Sequence, residues 1–126
     1  MIVGVPLESL QGEQRVALIP GVVPVLRKTG LEVLIEKGAG AAAGYPDSQY
    51  EEQGAKVSSS REELFSSADI IVQAHGLEDN SHAAKVMVEL LRPQQIVLGL
   101  LNAYAAPQSV RTMAQRKVTS FALELL

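Results

Sequence analysis

Ala68-Asp69-Ile70-Ile71-Val72-Gln73-Ala74-His75-Gly76 decides the fold. Its core, Ile70-Ile71-Val72, is a β-branched apolar run too short for a helix, and the Gly after His75 closes it, so it reads as a buried strand ending in a loop. Working outward, the same signature recurs in Ile2-Val3-Gly4-Val5, Val33-Leu34-Ile35, Ile96-Val97-Leu98 and Val118-Thr119-Ser120-Phe121-Ala122. Helical spacing fills residues 21–29, 81–91 and 107–116 between these runs. Pro107 suits a first helical turn, Gly30 a C-cap, and Pro93 follows a last turn ending near Arg92. Asp47 as N-cap and Gly54 as stop predict a short helix between them, and the capping-box spacing of Ser60 and Glu63 predicts another over 61–67.

Alternating strands and helices give a parallel sheet, because the crossover helices must cover the faces of buried strands. The expectation is a three-layer α/β fold of the Rossmann-like or flavodoxin-like kind, an open parallel sheet with helices on both faces, in one domain over 1–126. With 126 residues, 47% of them apolar, the chain buries about two-thirds of its unfolded surface in such a core.

Composition excludes several function classes. The chain has no cysteine, and no metal-ligand cluster stands out in the sequence, so packing must hold the fold. Fourteen acidic against eleven basic residues give a net charge of -3, without the Lys/Arg excess that a phosphate backbone or anionic lipid needs, so nucleic acid is not an expected partner. Three Tyr, two Phe and no Trp supply few stacking platforms. No apolar run approaches the ~20 residues of a membrane span and no basic leader precedes Ile2, so the expectation is a cytoplasmic chain without direct membrane insertion.

In open α/β sheets the loops beyond strand ends line the ligand crevice. Gly12-Glu13-Gln14-Arg15-Val16-Ala17-Leu18-Ile19-Pro20 follows the first strand, and the planar fork of Arg15 suits a carboxylate or phosphate; the competing reading pairs Arg15 with Glu8 or Glu13 at the surface. His75, directly after the third strand, is a candidate for proton transfer or ligand binding against a plain loop histidine. Asn102, after the fourth, either bonds a ligand or only shapes the turn. His82 opens a helix and reads as a surface residue. Gly38-Ala39-Gly40-Ala41-Ala42-Ala43 matches G-x-G-x-x-A formally, but Gly44, Tyr45 and Pro46 break the helix a dinucleotide turn requires, leaving a turn with tightly packed backbone. No Ser-His-Asp set, catalytic carboxylate pair or P-loop is visible.

Several blocks in order carry a family resemblance across essentially the whole chain. They are Ile2-Val3-Gly4-Val5-Pro6-Leu7-Glu8, the segment 12–20 quoted above, Glu32-Val33-Leu34-Ile35-Glu36-Lys37-Gly38-Ala39-Gly40, Ala68-Asp69-Ile70-Ile71-Val72 and Phe121-Ala122-Leu123-Glu124-Leu125. The sequence resembles the amino-terminal domain shared by alanine dehydrogenase and the alpha subunit of proton-translocating nicotinamide nucleotide transhydrogenase. That resemblance implies a lobe facing a Rossmann lobe of the same subunit, absent from residues 1–126, with NAD in the cleft between them. It implies that Arg15 stands where alanine dehydrogenases bind the substrate carboxylate, with His75 at the position of their lysine and Asn102 at the position of their histidine. These two departures, and the closing segment, point to the transhydrogenase branch. There the partners implied are an NADP-binding component, a membrane component at which the subunit lies peripherally, and a second copy in a homodimer. The isolated chain is then expected to be inactive and to hold no NAD tightly.

Two alternatives stay open. One is the substrate domain of an alanine-dehydrogenase-like enzyme with altered specificity. The other is a non-catalytic binding or assembly module whose apolar end, Leu123, Leu125 and Leu126, is buried against another protein or a second copy.

Overall fold

A computed structural model describes residues 1–77 and 82–126. Six strands, β1 (Ile2–Val5), β2 (Glu32–Glu36), β3 (Lys56–Ser58), β4 (Ile70–His75), β5 (Ile96–Leu100) and β6 (Thr119–Ala122), form one all-parallel sheet in the order β3-β2-β1-β4-β5-β6. The helices are α1 (Val23–Lys28), α2 (Asp47–Glu52), α3 (Arg61–Ser67), α4 (His82–Leu90) and α5 (Pro107–Gln115). The chain builds outward from β1 to β3, crosses back through α3, and then builds the other way from β4, so the strand order reverses between β1 and β4.

The sheet divides two cores. On one face Val5, Val33 and Ile35 pack with Val23 of α1 and Tyr50 of α2. On the other, Ile71 and Val97 pack with Leu64 and Phe65 of α3, Met87 and Val88 of α4, and Met113 of α5. Gln95, almost wholly buried, donates its side-chain amide to the Phe65 and Ala68 carbonyls at 2.7 Å each. It thereby satisfies acceptors that the end of α3 leaves without helical partners. Among the described residues no helix is long and apolar enough to cross a membrane.

The local signals act largely as the sequence predicts. Helix α3 occupies 61–67, with Ser60 Oγ accepting from Glu63 N at 3.1 Å, a cap of the kind whose loss costs about 1 kcal/mol. The Glu63 carboxylate does not complete the box on Ser60; it accepts from Ser59 N at 3.0 Å and from the Ser58 hydroxyl. Gly30 and Gly54 end α1 and α2 at φ of 88° and 93°, the left-handed region that glycine enters freely.

Two readings change, and the reading of the glycine turn holds. Strand β3 is absent from the sequence pattern, since Lys56-Val57-Ser58 offers a single apolar residue. Asp47 is not the N-cap of α2: Pro46 holds that position, and Asp47 Oδ1 accepts instead from Gly38 N at 2.8 Å. The glycine turn opens only a short 3-10 turn over Ala41–Ala43. A Cβ on Gly40 would lie 2.7 Å from the Tyr45 carbonyl oxygen and from the Tyr50 ring, so close packing explains that glycine.

Candidate functional site

The strand reversal between β1 and β4 brings Arg15 to His75. His75 is the last residue of β4 rather than a loop residue, and the β4–β5 register slips between Gln73 and His75. Gly99 permits the slip, since a Cβ there would meet the Gln73 carbonyl oxygen at 2.2 Å. Such a bulge re-aims the side chains that follow it. His75 Nε2 lies 2.6 Å from Arg15 Nη2 and 3.0 Å from Glu13 Oε2.

Glu13 occupies the Arg15 fork from within the same loop. Its Oε1 accepts from Arg15 N at 2.8 Å and from Nε at 2.9 Å, while Oε2 accepts from Nη2 at 2.8 Å. These bonds from Arg15 hold the Glu13 carboxyl at about 2, well below the usual carboxylate range. The Glu13 side chain is only 7% exposed, against 60% for Arg15 and 24% for His75. Of the readings open for Arg15, the structure shows the pairing with Glu13.

Asn102 does not join this group. It sits in the turn after β5 with a left-handed φ of 52°, and its carbonyl accepts from Ala105 N. It has no side-chain hydrogen bond to Arg15 or His75 among the described residues. His82 is the exposed first residue of α4.

Carboxylates also close the neighbouring strand ends. Glu8 Oε1 and Oε2 accept from Ala74 N at 2.5 Å and His75 N at 3.0 Å, tying the loop after β1 to the end of β4. Burial pushes the Glu8 carboxyl up despite those two bonds. Glu36, at the end of β2, accepts from Leu7 N at 2.7 Å and pairs with Arg61 at 3.2 Å. Glu124 accepts from Leu101 N and Ala103 N beyond β5. Burial alone would push Glu124 up, but the backbone amides bonded to it outweigh this and hold it below the usual range. Five amides at the sheet's C-terminal edge, those of Leu7, Ala74, His75, Leu101 and Ala103, therefore already have acceptors, and those acceptors are anionic. Apart from Glu8 and Glu13 as candidate partners of Arg15, sequence reading does not identify these acids. The signal is an acid at, or within three residues of, the ends of β1, β2 and β6.

A cavity of roughly 280 Å³ opens beside the reversal, lined by Leu7, Leu10, Gln73, His75, Ala84 and Met87 among others. A shallower one joins Arg15 to Val72, Ala74, Leu100 and Leu123. Among the described residues no group of three or more His, Cys, Asp or Glu is placed to hold a metal ion.

The family described as "Alanine dehydrogenase/PNT, N-terminal domain" matches residues 4–126. Alanine dehydrogenase of Methanococcus maripaludis is 32% identical over 98% of this chain, which spans 32% of that protein. An NAD(P) transhydrogenase subunit alpha polypeptide of Rhodospirillum rubrum is 30% identical over the whole chain, which covers 33% of its length. The crystal structure of transhydrogenase from Sinorhizobium meliloti superposes with a TM-score of 0.88 at 28% identity, covering 100% of this chain and 36% of that one. The chain thus spans about a third of the relatives it matches.

Proposed function

The chain belongs to the alanine dehydrogenase/PNT N-terminal domain family, and from that premise we propose that it forms one wall of the nucleotide cleft in the NAD(H)-binding alpha subunit of a proton-translocating NAD(P) transhydrogenase. Its named relatives are dehydrogenases and transhydrogenases, oxidoreductases by name.

The observation that carries this reading is the set of acid-capped strand ends. Glu8, Glu36 and Glu124 satisfy the edge amides, and Glu13 fills the Arg15 fork. Among the described residues the strand-end amides of Leu7, Ala74, His75, Leu101 and Ala103 are already taken by carboxylates, which a dinucleotide pyrophosphate would have to displace, so these positions do not fit NAD as its phosphate holder. In this reading the NAD-holding Rossmann lobe lies outside residues 1–126, and these residues are inactive alone. Within the whole subunit the lobe closes over the nucleotide, alongside an NADP-binding component, a membrane component and a second copy of the subunit, at the cytoplasmic side.

The choice of branch rests on His75 and Asn102. Asn102 supplies turn geometry, and His75 is engaged with Arg15 and Glu13, so no lysine and histidine pair stands ready over a keto acid. The test is hydride transfer in the full-length subunit assembled with its NADP-binding partner. NADH-dependent reduction of NADP+, with no NADH oxidation by pyruvate plus ammonia, is the expected result. Oxidation by pyruvate plus ammonia would instead assign the lobe to an alanine-dehydrogenase-like enzyme. Neither activity in the assembled protein would leave the binding-module reading.

A further inference from the structure

The cluster at the reversal point contains two hydrogen bonds that exclude one another. Arg15 Nη2, Glu13 Oε2 and His75 Nε2 form a triangle with sides of 2.8, 2.6 and 3.0 Å. Arg15 Nη2 is always a donor and ionised Glu13 Oε2 always an acceptor, but His75 Nε2 is one or the other. Without a proton it accepts from Arg15. With a proton it donates to Glu13, and the N–H of Nη2 then faces an N–H across 2.6 Å.

We infer that the proton on His75 Nε2 acts as a switch, holding Arg15 inward when absent and, when present, transferring His75 to Glu13 and releasing Nη2 of Arg15 toward the cleft. The surroundings suit such an exchange. Arg15 is the exposed member of the triangle and can swing on its long stem, whereas the Glu13 side chain is only 7% exposed and is fixed by the Arg15 backbone amide. Among the described residues, the other charged groups facing His75 are Glu8, whose carboxylate holds the His75 amide, and Arg61 of α3, which lines the same cavity. Helix α4 brings Ala83, Ala84 and Met87 to that cavity and no described charge. Glu8 remains tied to the backbone in either state, so the strand end stays in place while the side chains exchange. The consequence for binding is that an oxyanion claiming the released fork draws a proton onto His75. This coupling goes beyond the transhydrogenase reading and is open to test without it.

The experiment is a pH titration of the 126-residue chain by nitrogen-15 NMR, following the His75 ring nitrogens and the Arg15 guanidinium together. Hydrogen exchange at Arg15 Nη2, taken relative to the base-catalysed intrinsic rate at each pH, is expected to rise about tenfold in step with protonation of Nε2, the scale of losing one hydrogen bond. In His75→Gln, whose amide oxygen accepts at every pH, that step is expected to vanish. In Glu13→Gln the His75 midpoint is expected to fall, because the imidazolium loses its anionic acceptor. The backbone amide spectrum reports in each case that the fold is intact. An Arg15 exchange rate that only follows the intrinsic rate while His75 titrates overturns the switch, as does a proton that resides on Nε2 throughout while Nδ1 titrates. Should His75→Gln not fold, the Glu13→Gln midpoint and the wild-type titration still decide it.

Discussion

The two halves of the sheet are covered differently. Strands β1, β2 and β3 have α1 and α2 on one face and α3 on the other, whereas β4, β5 and β6 pack against α3, α4 and α5 on one face only among the described residues. The register places Ile70, Ile96 and Thr119 in one row, and Val72, Leu98 and Phe121 in the next, on the face opposite Ile71 and Val97. The apolar members of these rows take part in neither core. Apolar strand sequence therefore does not by itself mean that both faces are covered, although parallel strands normally are. The sharpest test compares two residues of equal size, one on each face. Ile71→Ala should cost about 4 kcal/mol, since its side chain is fully buried in the core and leaves a cavity. Leu98→Ala should cost about 1 kcal/mol, because Leu98 is only partly buried and outside both cores. Urea denaturation of both reads the difference, and equal losses would mean that something covers the open face in solution.

A second test addresses the seam between the site and the second half. Gly99→Ala places a methyl group 2.2 Å from the Gln73 carbonyl oxygen, a backbone atom that cannot step aside cheaply. A loss of about 3 kcal/mol is expected, at the upper end for overpacking. The contact between Arg15 and His75 should weaken with it, because the bulge aims His75. A neutral substitution would show that the strands separate more easily than the register implies.

The closed half has its own probe in Tyr50, fully buried, with its hydroxyl donating to the Leu18 carbonyl at 2.8 Å. Tyr50→Phe should cost about 1.5 kcal/mol, the lost bond plus an acceptor left dry. Burial pushes the Tyr50 hydroxyl up to about 12. The fold thus favours the neutral phenol. That stability is fully present below the ordinary value near 10 and is lost as pH rises from about 10 to 12. Between pH 9 and 11 the wild type should lose about 1 kcal/mol more than the variant. Parallel losses in the two would show the phenol to be solvated.

How much of this is legible in the sequence follows from what each signal reports. The five apolar runs and the caps at Gly30, Ser60 and Pro107 act over a few residues, and the structure keeps them. Strand β3 is silent because Lys56 and Ser58 flank one valine, and the strand exists through its pairing with β2. Arg15 and His75 are visible as strand-end residues, but their meeting depends on a strand order that no local pattern encodes. Gly99, inside an apolar run, is a readable sign of a bulge or close backbone approach, yet it does not say which side chain the bulge redirects. Glu124 lies far along the chain from the amides of Leu101 and Ala103, so only the folded sheet reveals it as their acceptor.

The smallest expected effect is the most discriminating for the open face. Phe121 sits on β6 beside Leu98 and is 46% exposed. A large aromatic residue at a packed position loses several kcal/mol when truncated, about 3–5. Phe121→Thr introduces a β-branched residue that suits a strand and should change stability by no more than about 0.5 kcal/mol if the face is open. Thermal and urea unfolding at two protein concentrations would check this. A large, concentration-dependent loss would mean that the 126-residue chain already covers Phe121 with another copy, and the asymmetry between the halves would then belong to the monomer alone.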